Sequence, residues 1–449
     1  MEPLAPLAPH LGPSLGPSPV VPPLTLAPLS RPPPSTTPPQ PSRPPLSPAP
    51  GYVRSVHACP AAYPRMYEGT YSRESYPFSP IPEDESKAAR AARIDKDKVT
   101  CAESARTAAQ NEGAGWQTNH GDGLWLSVER WRRAQPIDGG ATLVMLHANG
   151  MLKEDYHPLL EALFSSSPDA QFGSRVPLPG GVAAVNDVFL LEDTMHGVSV
   201  DLNAGRLSSL HSWADLARDL QNFLRHCMPA LDEEPGWALE WKEERERRQV
   251  FAVGHSFGGN ASVQAAAVSP ELFEGLFLIE PMTNPTGANN SPARHYFVQG
   301  LTLKRRDTWP SREAARANRA NPMMSKFPDA TFDLWLSQSL VPTARGVTLA
   351  TPPWCEAVVF SDCRSPQRGW DLLPSLTMPV GFVTAEDASW IGGAEIAAEM
   401  TSRPPRARNE RTRAGHVAVQ EDPVGIGQAL GRYLATVRAG VWDSAGSKL

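Results

Sequence analysis

Residues 250–259 read Val-Phe-Ala-Val-Gly-His-Ser-Phe-Gly-Gly, and Gly254-x-Ser256-x-Gly258 within them is a spacing that could make a serine reactive. A serine hydroxyl is a weak nucleophile at neutral pH. Acyl transfer through it needs a base within hydrogen-bond reach and a carboxylate that holds the base in one tautomer. It also needs two donors aimed at the oxyanion that develops. The glycines have a mechanical use: without Cβ atoms they let the chain reverse sharply from a strand into a helix. The serine is then held at the tip of the turn with its hydroxyl exposed. Taken alone the pattern is weak, since a chain of this length contains it by chance roughly 15% of the time at ordinary residue frequencies. The apolar run Val250–Val253 before it and the apolar stretch from Asn260 to Val268 after it therefore carry the weight.

The base that fits is His416, in Ala-Gly-His-Val-Ala-Val. It follows the last strand-like segment, precedes the last helix-like one, and lies after the serine in the chain, as such elbows require. For the acid, Asp387 stands just after the run Val380–Val383, where the carboxylate is expected. Glu386 beside it could substitute. Glu280, in Leu-Ile-Glu-Pro at the end of the strand after the elbow, occupies the other place such an acid can stand. Whichever of the three do not serve are surface carboxylates or helix caps. One oxyanion donor is the amide of Phe257, directly after the nucleophile. The second is expected from the loop Val144-Met-Leu-His-Ala-Asn-Gly-Met151, through Met151 or Gly150, because Gly150 allows close backbone approach. His147 precedes the serine in the chain and reads as a loop-packing residue.

The elements that must position these groups alternate. Trp125–Trp131 alternates apolar and polar residues as a strand does, and Ala141–Leu146, Val188–Leu191, Leu276–Ile279 and Val380–Val383 are short apolar runs. Leu216, Leu220, Phe223 and Leu224 have helical spacing within 213–228, and Leu430–Val437 reads as a closing helix. Such alternation predicts a mostly parallel sheet with helices on both faces, an α/β class. Residues 1–115 read as a Pro-rich leader and polar transition; the first fifty hold 19 of the 47 prolines, which removes backbone donors and predicts disorder there. Residues 116–280 and 376–440 read as the two parts of the core. Between them 281–375 reads as a helical insertion forming a lid, and 441–449 as a flexible tail. The lid aromatics Phe297, Trp309, Phe332 and Trp335 are either pocket-lining or ordinary core. The mixed run 242–248 reads as a solvated helix face.

Four segments together resemble the α/β-hydrolase superfamily: Leu-His-Ala-Asn-Gly-Met-Leu-Lys-Glu (146–154), Asp-Thr-Met-His-Gly-Val-Ser (193–199), Gly-His-Ser-Phe-Gly-Gly (254–259) and Ala-Gly-His (414–416). With Arg306-Asp-x-Trp-Pro-Ser-Arg312, the chain is similar to a narrower fungal group of peroxisomal lipases and toxin-biosynthesis hydrolases. The resemblance spans about residues 120–437. It implies the α/β-hydrolase fold, a triad of Ser256, His416 and an acid, and neither metal nor organic cofactor. The acid loop Thr-Ala-Glu-Asp387 departs from the common Gly-x-x-Asp.

Composition bounds the alternatives. A net charge of −6 and no basic stripe speak against nucleic acid as a partner. No apolar run approaches the roughly 20 residues of a membrane helix. Five scattered cysteines suit a reducing compartment. Ser447-Lys448-Leu449 matches the address read by a peroxisomal import receptor, so that receptor is an expected partner and the peroxisomal matrix the expected location. The expected reaction is hydrolysis of an ester or thioester with an apolar acyl part. The alternatives are a tailoring step in a fungal toxin pathway, or a non-hydrolytic binding protein of the same fold.

Overall fold

The computed structural model describes residues 26, 28–33, 36–41, 51–67, 86–111, 123–164, 185–246, 248–288 and 290–443. The terminal Ser447-Lys448-Leu449 lies outside the described residues. Eleven strands occur among them: β1 (Tyr52–Pro60), β2 (Trp125–Arg133), β3 (Ala141–Leu146), β4 (Val185–Glu192), β5 (Val250–His255), β6 (Phe273–Ile279), β7 (Thr308–Trp309), β8 (Leu340–Thr343), β9 (Gly346–Leu349), β10 (Val380–Ala385) and β11 (Ala407–Thr412). Eight form one sheet in the order β1-β2-β4-β3-β5-β6-β10-β11. The β1–β2 and β2–β4 pairs are antiparallel, and from β4 through β3, β5, β6 and β10 to β11 every pairing is parallel.

Alternate strand residues face opposite ways, so each strand feeds two cores. Val144, Leu146, Val250, Ala252, Leu276 and Leu278 join a cluster with Trp213, Leu216, Leu220 and Phe257. Their neighbours Leu143, Met145, Phe251, Val253, Phe277 and Ile279 pack with Tyr156, Leu159, Leu430 and Tyr433 on the other face. Helices Trp213–Asn222 and Phe257–Val268 thus cover one side, and His157–Phe164 and Pro423–Arg438 the other.

Four features differ from the sequence expectation. First, the leader assigned to 1–115 contains an edge strand: all nine residues of β1 pair with β2, and His57, Ala58 and Cys59 are buried. It also contains the helix Lys87–Asn111. Second, a described stretch of the Pro-rich segment lies against the body. Ser30 bridges to Tyr63, the Trp237 indole donates to the Pro38 carbonyl (2.8 Å), and Leu26 is buried. Proline carbonyls remain acceptors even where the donor is missing, so side-chain donors can hold such a strap. Third, the insertion at 281–375 is not only helical. Strands β7, β9 and β8 form a small sheet, and Trp309, Phe332 and Trp335 belong to a separate core within this segment. Phe297 instead is exposed. Fourth, the charged run after Trp241 is irregular rather than helical. Arg245 there donates to the carbonyls of His226 (3.0 Å) and Glu240 (2.9 Å), because the run offers no apolar stripe to bury as a helix.

Candidate active site

The carboxyl ends of the parallel strands converge on one edge, where ligands of open α/β sheets sit. β5 ends at His255, and the next residue, Ser256, takes φ 55° and ψ −117°, a strained conformation for a residue with a Cβ. It persists because the surroundings fix it. The Ser256 N–H donates to the Ile279 carbonyl (3.0 Å), and its own carbonyl accepts from Met282 (3.0 Å) and Asn260 (3.1 Å). Gly258 is required by contact: a Cβ there would lie 2.5 Å from the Leu146 carbonyl oxygen and 2.6 Å from that of His147. The end of β3 therefore runs directly against the first turn of the elbow helix.

Ser256 Oγ lies 2.9 Å from His416 Nε2. His416 Nδ1 lies 3.2 Å from Glu280 Oε2. Glu280 is wholly buried and takes φ 44°, a second strained position, just after β6. Its other oxygen, Oε1, accepts from the Ala385 N–H at 2.6 Å, and its own N–H donates to Val383 (2.8 Å), so the end of β10 fixes both the backbone of Glu280 and one of its oxygens. The serine, the imidazole and this carboxylate form one continuous chain.

The sequence reading preferred Asp387 as the acid. The structure instead places Asp387 at an exposed turn, where it bonds the amide and hydroxyl of Ser389 (both 3.3 Å), and Glu386 is exposed as well. Glu280 takes the place beside the histidine because β6 ends between β5 and β10, directly behind His416. Residues 386–390 contribute differently: the Trp390 indole stacks on the His416 ring at 5.0 Å and 17°, and Arg294 lies over that indole at 5.1 Å.

The oxyanion side also differs in part. The Phe257 amide opens a helix and so has no acceptor one turn back. In the β3 loop, however, the Gly150 N–H donates to His196 Nε2 (3.0 Å) and the Met151 N–H to the Ala148 carbonyl (3.0 Å). Both amides expected to be available are engaged. The amides of Ala148 and Asn149 have no acceptor among the described residues.

Two buried histidines next to the site are held neutral. His255 Nε2 lies 2.7 Å from the His416 carbonyl, and burial, then the charge of His416, lower its pKa to about 3. His147 Nδ1 donates to the Ala148 carbonyl (2.8 Å) and Nε2 accepts from the Asp193 N–H (3.1 Å). Burial, reinforced by His196, lowers its pKa to about 3 as well. Sequence reasoning assigned no site role to His255 or Trp390. The former sits at the variable position of the elbow motif, and nothing local marks the latter.

An elbow serine directly after β5, a buried carboxylate after β6 and a histidine after β11, around a mostly parallel sheet, are the arrangement of an α/β hydrolase. A family model described as the alpha/beta hydrolase family matches residues 143–429, and the chain belongs to that family. Among its relatives is a type I acyl-CoA thioesterase, mpaH', of Penicillium brevicompactum, 32% identical over 219 residues covering 46% of this chain and 43% of the relative. Another acyl-CoA thioesterase, mpaH of Penicillium roqueforti, is 29% identical over 295 residues, covering 57% and 59%. The peroxisomal membrane protein LPX1 of Saccharomyces cerevisiae is 28% identical over 159 residues, 35% of each chain. The chain thus spans about half the length of the thioesterases it matches and a third of the yeast protein. The solved structure of the yeast peroxisomal α/β-hydrolase Lpx1 superposes with a TM-score of 0.58 at 15% identity over 89% of this chain and 92% of that one, a likeness of fold.

Proposed function

We propose that the protein hydrolyses a thioester or ester through Ser256, His416 and Glu280, with an acyl-CoA thioester as the substrate class to try first. The observation that carries the reading is the chain from Ser256 Oγ to His416 Nε2 (2.9 Å) and from His416 Nδ1 to Glu280 (3.2 Å). In this mechanism Ser256 Oγ attacks the acyl carbonyl and His416 Nε2 takes its proton, while Glu280 accepts a hydrogen bond from the proton that stays on Nδ1 and balances the imidazolium. The Phe257 amide and an amide of Ala148 or Asn149 receive the oxyanion. His416 then protonates the departing thiolate or alkoxide. Water, deprotonated by the same imidazole, releases the acid from the acyl-enzyme.

The thioester preference is supported by the descriptions of the Penicillium relatives. A peroxisomal setting is part of the proposal, supported by the description of the yeast relative and by Ser447-Lys448-Leu449 as the segment an import receptor would read. The test is an acyl-chain and leaving-group panel of acyl-CoA thioesters and p-nitrophenyl esters on wild type and Ser256→Ala, together with labelling by a fluorophosphonate. Hydrolysis and labelling by the wild type, both lost in Ser256→Ala, support the reading. Activity retained in Ser256→Ala rules the mechanism out. A wild type that neither hydrolyses nor labels favours a non-hydrolytic protein of the same fold.

A further inference from the structure

The loop after β3 is held from below by a buried set of charged and polar groups that the triad does not use. His196, fully buried, is its hub. Its Nε2 lies 3.0 Å from the Gly150 amide nitrogen and 3.0 Å from Asn149 Oδ1. Its Nδ1 lies 3.1 Å from Asp193 Oδ1, and the second Asp193 oxygen lies 3.0 Å from His211 Nε2. Oδ1 also accepts from the Met195 amide (2.9 Å), so the carboxylate is fixed on both sides. The His196 ring stacks on the Phe257 ring at 5.7 Å and 25° and meets the His147 ring edge to face at 4.6 Å and 65°. One side chain therefore touches both the loop that supplies one oxyanion donor and the residue that supplies the other.

From this geometry we propose that His196 is a positioning residue of the oxyanion hole, fixing the Asn149–Gly150 loop and Phe257 relative to each other. The proposal rests on the serine-hydrolase reading above. The carboxylate facing Nδ1 places a proton on that nitrogen, which leaves Nε2 as an acceptor for the Gly150 N–H. Nε2 has a single in-plane site. The Gly150 and Asn149 contacts are therefore alternatives, and in the neutral ring Gly150 takes it. Donors act only when aimed at the place the oxyanion will occupy, and a misplacement of about 1 Å can cost on the order of 100-fold in rate. Asn149 Nδ2 also donates to the Glu356 carbonyl (3.1 Å) on the helix Pro353–Val359, so without His196 that bond remains while the Gly150 N–H loses its acceptor.

The test compares wild type with His196→Gln and His196→Leu, measuring kcat and KM on p-nitrophenyl butyrate and the affinity of a trifluoromethyl ketone that forms a tetrahedral adduct with serine. Leu fills the space without polar contacts, while Gln offers an oxygen that can accept from Gly150. The expected result is a kcat lowered at least about tenfold in His196→Leu with KM within about twofold. Inhibitor affinity should fall in proportion, and His196→Gln should lie between it and wild type. A folded His196→Leu protein with wild-type kcat overturns the proposal, as does a fall in kcat with undiminished inhibitor affinity. If the leucine variant fails to fold, the glutamine variant decides by the same paired readout: losses in both support the proposal, and wild-type values in both overturn it. A wild type inert to ester and inhibitor alike would instead remove the underlying hydrolase reading and the proposal with it.

Discussion

Ser256 and His416 each sit in a short motif with a mechanical demand attached. Ser256 needs small neighbours on a tight turn, and Gly258 is one of them because two carbonyls of the β3 end fill the space a Cβ would take. Gly258→Ala is expected to lower the melting temperature, overpacking of this kind costing about 1–3 kcal/mol, and to reduce esterase activity by shifting the Phe257 amide. Thermal melting and kcat on a p-nitrophenyl ester check both; unchanged values would mean that the elbow tolerates the shift. The carboxylate beside His416 was not legible. Asp387 and Glu280 both follow apolar runs, and nothing local in either sequence tells which strand end lies behind His416. That is settled by sheet order, with β6 lying between β5 and β10. The left-handed φ of Glu280 is a backbone feature without a glycine to announce it.

Among the elements, the central parallel strands were legible because strands buried on both faces read as unbroken apolar runs. The edge strand β1 was not. It has one neighbouring strand and, among the described residues, only a single bridge, Ala58 to Ala238, on its outer side; it carries Arg54 and His57 among its nine residues, ends in Pro60, and begins just beyond the proline-rich stretch. Proline at a strand end is compatible with an edge position, since no second neighbour needs its missing donor. The consequence is a role for part of the leader. Removing residues 1–60 would strip β2 of a nine-residue partner and expose its unpaired backbone edge. Such a truncation is expected to give insoluble protein or one melting about 10 °C or more below the full chain, by scanning calorimetry. A soluble truncation with unchanged melting would contradict the role of β1. The small core within 308–349 was not legible, because Trp309 lies well before Phe332 and Trp335, which stack on one helix, and it meets Trp335 only in the folded segment.

At the scale of the whole molecule, burial of ionisable groups makes the fold sensitive to acid. His147 and His255 have folded pKa values near 3 against about 6.5 when unfolded. The unfolded chain therefore binds more protons between those values, and stability falls as pH drops through that window. Each contributes about 1.4 kcal/mol per pH unit. Asp155 works the other way: burial raises its pKa to about 6, so the folded state takes its proton first and gains stability as pH falls from about 6 to its unfolded value. Among these three groups the two histidines outweigh Asp155 from pH 6.5 toward 4, and His255→Gln is expected to remove about one proton from the histidine part of the slope in urea titrations across that range. An unaltered slope would mean that His255 charges freely in the folded protein. The proposed triad also belongs to this scale, because its members come from three strand ends spread over 160 residues of chain, from Ser256 to His416. The most direct measurement compares kcat for a hydrolysed acyl-CoA thioester in Glu280→Gln and Asp387→Asn, with Ser256→Ala as the zero. The structure predicts a loss on the order of 10⁴-fold for Glu280→Gln, since an amide beside His416 favours the wrong tautomer, and a change within about twofold for Asp387→Asn. Full activity in Glu280→Gln with loss in Asp387→Asn would contradict it.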